Sequence, residues 1–483
     1  MKRFIFYRII FFTIAALLSF NLAAKDIYVD PVKGDDKSSG LAAEPQAGGN
    51  GPVKTLSQGI KIVKAGDTLH LAEAIFHETL QLNDTAGEPG RPIVIDGHGA
   101  TITGCDPLRL DGWSEVSPGL YKSEKFLSEL QESDNAAKIM RVFFLIDGKM
   151  QHMGRTSKGK KTPFKKPEDL QTGEWTVDET SNAFYLKVSG KLEDAKIEAP
   201  YRRNGVGIFG RKTPVAHIVI RNLNCIHVLN DGFNLHGKCN DVVFENISAY
   251  ENGDDGYSAH ETCESTINGY RASGNSTGIA NAYESVNKVS NIMLEGNLGY
   301  EFLAGHSSTW EIRNMVVVAD CPEPFMVGYG KQEENLHSTV KMENVQIYAP
   351  GKSNFQLKVK KYTVLEARNV TSVGVPWLIE GSAKVADSII SAPTLECTAD
   401  GKWESDKNNY YLSSLTFKGK KYTAADFQSY KDEARTDHNS KFQPYVKEDA
   451  GKLINAKESS SIGANISDMK IPVMDKSDPF KLQ

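Results

Sequence analysis

The feature that most constrains this chain is an internal repeat. From Ala216 onward it divides into segments of similar length: "AHIVIRNLNCIHVLNDGFNLHGK", "CNDVVFENISAYENGDDGYSAHET", "CESTINGYRASGNSTGIANAYES", "VNKVSNIMLEGNLGYEFLAGHSS" and "TWEIRNMVVVADCPEPFMVGYGK", with later ones starting near Leu336 and Tyr362. Each has a short β-branched run, a turn rich in Asn and Gly, and a second short run. Asn suits such turns because it tolerates left-handed backbone and bonds its neighbours. The period is about 23 residues, which is one coil of a parallel β-helix rather than a helical repeat. Helical repeats are longer and carry a 3.6-residue periodicity that is absent here. A solenoid grows along one axis, so 483 residues need not mean several globular domains.

Composition narrows the function classes. The chain has 56 basic and 61 acidic residues, a net charge of −5, and offers nothing to nucleic acid or an anionic membrane surface. Residues 1–24 combine a basic start (Lys2, Arg3, Arg8), an apolar run from Ile9 to Leu18 and the small-residue end Leu22-Ala23-Ala24. That pattern is a secretory signal cut after Ala24, which implies a secreted or periplasmic protein with no membrane span after cleavage. The apolar run is short for a span, which needs roughly 20 residues. The six cysteines are too few for a disulfide scaffold, and no CxxC pair suggests zinc. Cys239 and Cys263 lie 24 residues apart, which allows either a disulfide or a buried thiol ladder. Nothing calls for a partner subunit, so a monomer is expected.

The expected organisation is a signal peptide over 1–24, an N-terminal cap and first coils over 25–104, a β-rich insertion over 105–203, central coils over 204–393, and a closing coil and cap over 394–483. In the cap, Leu56, Ile60 and Val63 sit at helical spacing before Ala65-Gly66-Asp67 breaks the pattern. A short helix there can plug the open end of the solenoid. The insertion loses the repeat, carries strand and turn signals, and could wall one side of a groove.

The stretches "YVD…GDD…GPVKTLSQGI…AGDTLHL" and "GRPIVIDGHGATITG", with the tail "DHNSKFQPY" and "ESSSIGANI", resemble the opening and closing coils of the right-handed parallel β-helix proteins of the pectate-lyase superfamily. That resemblance implies an all-β, right-handed parallel β-helix with an N-terminal capping helix. It does not fix the chemistry, because this fold hosts many activities.

One stretch concentrates chemistry. Asp231-Gly232-Phe233-Asn234-Leu235-His236 aligns with Asp255-Gly256-Tyr257-Ser258-Ala259-His260 at an offset of 24. Alternate side chains of a strand share a face, so Phe233, Leu235, Tyr257 and Ala259 should point inward and Asn234, His236, Ser258 and His260 outward. Adjacent coils lie about 4.8 Å apart, so Asp231, Asp254 and Asp255 should converge. Close carboxylates repel unless a cation compensates, and calcium takes oxygen ligands of this kind. Glycines beside the acids allow a close backbone approach.

"NDGF" followed one coil later by "NGDDGY" is similar to the calcium site of family nine pectate lyases. The resemblance implies Asp231, Asp254 and Asp255 as calcium ligands, with Ser258 at the fourth position, where that family has an aspartate. It also implies a lysine base two coils on, but residues 295–306, "EGNLGYEFLAGH", contain none. His260, then His306, then Tyr300 are the candidate bases in its place. His236, Lys238 and Glu261 are candidate substrate contacts. The implied function is a calcium-dependent lyase acting on a uronic-acid-containing polysaccharide. One alternative is hydrolysis by the same acids, since their order is loosely similar to the polygalacturonase family, with the histidine one coil too far along. Another is glycan binding without cleavage. Trp310 and Trp377 read as core, and His217 and His227 as structural.

Overall fold

The β-branched runs form strands, and the Asn and Gly turns bend the chain between them. Strand Phe233–Tyr250 is continuous yet turns two corners, at Gly237 (φ 83°) and Asn246 (φ 51°). At the second of these corners Asn222, Asn246, Asn291, Asn314, Asn344 and Asn369 all adopt φ between 51° and 58°. Their side chains bond along the column, as in Asn246 Nδ2 to Asn222 Oδ1 at 2.8 Å and Asn344 Nδ2 to Asn314 Oδ1 at 2.6 Å. A left-handed position that costs most residues energy is thus filled by the side chain that tolerates it and repays it with ladder bonds.

The computed structural model describes residues 23–159, 161–349, 355–446 and 462–474. Nearly all of the expected leader, residues 1–22, lies outside the described residues. The coils stack in parallel. Phe233 pairs with Tyr257, then follow Ile279, Phe302, Phe325, Leu357 and Trp377, at steps of 24, 22, 23, 23, 32 and 20 residues. The fold is a parallel β-helix with three strand-bearing faces per coil. Face one carries Phe233–Leu235 and Asp255–Ala259, face two Thr262–Asn268, and face three Tyr270–Ser273.

The inward column is fully buried, and two of its aromatic members, Phe302 and Phe325, stack ring on ring at 4.3 Å. Burying one such side chain stabilises the fold by roughly 1.5–3 kcal/mol. Trp310 and Trp377 belong to this core and show no exposed surface. His217 bonds Asp241 and His227 bonds Glu251 on the neighbouring coil.

Helix Leu56–Ile62 closes the N-terminal end. Thr55 caps it through Oγ1, which accepts from Gln58 N at 3.1 Å, and Leu56 joins the solenoid core. All six cysteines are buried free thiols, with Cys239 and Cys263 side by side in register. Of the two arrangements open from sequence, the structure has the thiol ladder. No helix of the described residues is long and apolar enough to cross a membrane.

Between the strands Cys105–Pro107 and Ile197–Pro200 the chain leaves the stack and forms two four-stranded antiparallel sheets. Phe126, Phe144, Trp175 and Phe184 make its own aromatic core, and Leu229 of the solenoid inserts into that core. The excursion is therefore bolted to the turn that carries Asp231.

Candidate functional site

The acids sit on the corner between faces three and one. A buried amide ladder fixes that corner: Asn252 Nδ2 donates to Asn275 Oδ1 at 2.8 Å, Asn275 Nδ2 to Asn297 Oδ1 at 3.0 Å, and Asn297 Nδ2 to Glu301 Oε2 at 2.5 Å. The backbone N–H of Asn252 also donates to Asn275 Oδ1, at 3.1 Å. Two residues later come Asp254 and Asp255. Oxygens of Asp231, Asp254 and Asp255 lie within 4.8 Å of one another, and all three residues are buried. The convergence expected from the 24-residue offset is present.

The cation among them is part of the protein. Lys158 Nζ lies 2.6 Å from Asp254 Oδ1 and 2.6 Å from Asp255 Oδ1. Arg141 Nε donates to Asp254 Oδ2 at 3.0 Å, and Ser157 Oγ donates to Asp254 Oδ1. Asp231 accepts at Oδ2 from Asn234 Nδ2 (2.6 Å) and Asn230 Nδ2 (3.0 Å), and at Oδ1 from the N–H of Asp255 (3.0 Å). The oxygen donors suit a hard cation. With Lys158 in place calcium does not fit, because Asp254 has both oxygens engaged and Asp255 Oδ1 accepts from the same ammonium.

Electrostatics divide the three acids. Burial pushes Asp231 well up, and the charges of Asp255 and Asp254 add to it. Burial also pushes Asp255 up, against the pull of Lys158. Burial opposes ionisation of Asp254 too, but Lys158 and Arg141 outweigh it and hold that carboxyl well below the usual range. For Lys158, burial favours the neutral amine, yet Asp254, Asp255 and Asp231 overcome it and keep the ammonium.

Lys158, Arg141 and Ser157 all come from the insertion. The glycines beside the acids make room for its backbone. A Cβ on Gly253 would lie 2.4 Å from the carbonyl oxygen of Arg141, and one on Gly299 would lie 2.2 Å from that of Lys158. The close approach expected of the glycines beside the acids holds at Gly253, where what approaches is protein, and Gly299, two coils along, does the same for Lys158.

The sequence-derived candidates divide as follows. His236 and His260 stack at 4.2 Å with 3° between their planes, on the outer side of face one. His260 Nε2 and Ser258 Oγ are 2.8 Å apart, so the expected fourth metal position serves the histidine. Burial, then the charge of His236, holds the pKa of His260 down to about 3. Glu261 lies 3.3 Å from His236 Nδ1 and also accepts from the N–H of Gly237, so it orients the stack. Lys238 is exposed just past the Gly237 corner. Tyr300 stands two coils from Asp255, through Thr277, with its hydroxyl 3.3 Å from Glu323 Oε2 and its pKa raised by burial. His306 lies at the corner between faces one and two, stacked on the exposed Tyr283 at 4.5 Å. Neither Tyr300 nor His306 touches the acids through a hydrogen bond.

Sequence reasoning missed Lys158 and Arg141. The lysine was sought two coils after the acids, but the chain supplies one roughly a hundred residues before them: Lys158 and Asp254 are separated by 96 positions. No spacing signal links the two, and the only hint is that the repeat breaks there.

A surface cavity of about 600 Å³ lies elsewhere, on face two, lined by Arg313, Lys341, Glu343, Glu366 and Arg368. Its charges are paired across coils, as in Arg313–Glu343 at 3.6 Å and Arg368–Asp387 at 3.1 Å, and it is a solvated ion ladder.

No family model matches this chain, and no curated protein matches it. Several solved structures are similar. A glycoside hydrolase shares 11% identity, with 92% of this chain and 100% of that one covered and a TM-score of 0.49. A protein called XylC, in complex with xylose, shares 10% identity over 86% of this chain and 82% of that one, with a TM-score of 0.45. The pectate lyase Pel9A shares 16% identity over 74% and 78%, with a TM-score of 0.40.

Proposed function

We propose that the protein is an exported, monomeric, carbohydrate-active enzyme that cleaves a uronic-acid-containing polysaccharide laid along face one, by β-elimination. The observation that carries this reading is the run Arg211, Phe209, His236, His260 beside the buried acids. Arg211 lies 5.3 Å over the ring of Phe209, which stacks on His236 at 5.7 Å, and His236 stacks on His260. The charges of Arg203 and Arg211 both reach His236. Guanidinium groups beside neutral imidazoles suit a sugar carboxylate.

In this scheme an arginine holds the substrate carboxylate, which acidifies the proton on the adjacent ring carbon. His260 takes that proton, the C–H electron pair forms the ring double bond, and the C–O bond breaks with its electron pair going to the glycosidic oxygen, which takes a proton from water and leaves as a hydroxyl. His260 is neutral throughout the physiological range, as a base must be. A bound carboxylate nearby raises the basicity of the imidazole. A histidine base with its ordinary pKa would give a rate that climbs through roughly pH 6 to 7. With the pKa held near 3, His260 contributes no such rise.

A second reading, hydrolysis, is favoured by the split between Asp231, pushed toward its acid form, and Asp254, held ionised. Two carboxyls driven apart in this way can serve as acid and base. Incubation with a panel of acidic and neutral polysaccharides separates the readings. Elimination gives products whose new double bond, conjugated to a carboxylate, absorbs in the ultraviolet. Hydrolysis gives new reducing ends without that absorbance. If no polysaccharide in the panel is cleaved, both readings fail.

A further inference from the structure

We infer that Lys158 is a built-in cation for the acid cluster, so that the site works without calcium and the insertion is a fixed wall rather than a movable lid. Three independent contacts carry this. Lys158 Nζ bridges Asp254 and Asp255 at 2.6 Å each, the position a bridging metal would take. The backbone around it is also anchored, since Lys158 N donates to Ser276 Oγ at 3.0 Å and Ser157 Oγ lies 3.0 Å from the same oxygen. Gly253 and Gly299 lack the side chains that would keep Arg141 and Lys158 away.

The charge count is consistent. Lys158 faces Asp254 and Asp255, Arg141 is shared between Asp254 and Glu132, which Arg203 also pairs, and the remaining acid, Asp231, is surrounded by amide donors instead. A divalent ion entering this site would have to expel the ammonium and leave it unpaired among buried groups, which costs more than an exposed ion pair returns. The inference concerns the identity of the cation, and it holds whether the bond is cleaved by elimination or by hydrolysis.

Thermal unfolding tests it without any substrate. The wild-type Tm should be the same with calcium chloride, with EDTA and with neither. Lys158→Met keeps the unbranched stem of the side chain and removes the ammonium. Its Tm should be lower than that of the wild type, and millimolar calcium should restore roughly 2 °C or more by mass action. Lys158→Arg retains a cation and should stay indifferent to calcium. The inference is overturned if calcium raises, or EDTA lowers, the wild-type Tm. It is equally overturned if Lys158→Met is as stable as wild type and does not respond to calcium. Should Lys158→Met fail to fold, the wild-type and Lys158→Arg measurements still decide the matter. Failure to cleave any polysaccharide leaves these outcomes unchanged, so the two readings fail separately.

Discussion

Asn275→Ala should be among the most damaging single truncations outside the aromatic core, although it removes only a small polar group. Asn275 is fully buried, and its side chain lies within hydrogen-bond distance of five partner atoms, two of them sharing one N–H. Its Oδ1 accepts both from the N–H of Asn252 (3.1 Å) and from Asn252 Nδ2 (2.8 Å). Its Nδ2 donates to Asn297 Oδ1 and to the carbonyls of Ala249 and Ser273.

Truncation leaves the Asn252 N–H without an acceptor in a site closed to water. Asn252 Nδ2 keeps only a longer contact, 3.4 Å, to the carbonyl of Cys225. One orphaned buried donor costs about 1–3 kcal/mol. With the second donor weakened as well, the expected loss is about 3 kcal/mol. For comparison, Asn291→Ala on the half-exposed outer ladder mainly forces alanine into φ 58°, a cost of about 1–2 kcal/mol.

The assay is equilibrium urea unfolding paired with amide hydrogen exchange. A solenoid need not unfold in two states, so the exchange data locate the loss. Protection should fall first at Gly253, Asp254 and Asp255, the turn that Asn252 leads into. A loss below about 1 kcal/mol, or protection at that turn equal to wild type, would refute the argument that the ladder holds the acid corner.

Glu301 ends the same ladder, and burial lifts its pKa to about 8. A carboxyl raised in the folded state stabilises fully below its ordinary pKa of 4.5 and loses that contribution as pH climbs through 8. Glu301→Gln should therefore flatten the decline of Tm across that window, and an unchanged slope would show that Glu301 does not titrate there. Asp254→Asn should cost about 1.5–3 kcal/mol in chemical denaturation, because Lys158 and Arg141 lose a shared charged partner while keeping Asp255 and Glu132. Gly299→Ala puts a methyl 2.2 Å from the carbonyl of Lys158, so it should lower Tm and increase proteolysis of the loop around Lys158. His260→Ala should abolish most turnover on an acidic polysaccharide while leaving Tm within a few degrees, and near-normal cleavage would move the base to His306.

The sequence by itself determined the solenoid. Each coil needs a left-handed corner, an inward apolar residue and an outward polar one, and these needs are local. The period of about 23 residues, the Asn-rich turns and the inward positions of Phe233, Leu235, Tyr257 and Ala259 were therefore legible without coordinates. So was the meeting of Asp231 with Asp254 and Asp255, because parallel stacking turns an offset of 24 into spatial contact. The stacked histidines followed from the same offset.

What the tertiary structure alone decided is the partner of those acids. Lys158 and Arg141 belong to a segment that breaks the repeat, and no register relates it to the coils. They reach the acids because an aromatic core closes over Leu229 and because two glycines let the chain pass at van der Waals contact. Periodicity carries information only along the stack. A side chain that arrives from outside the stack, across 96 residues, leaves no trace in it.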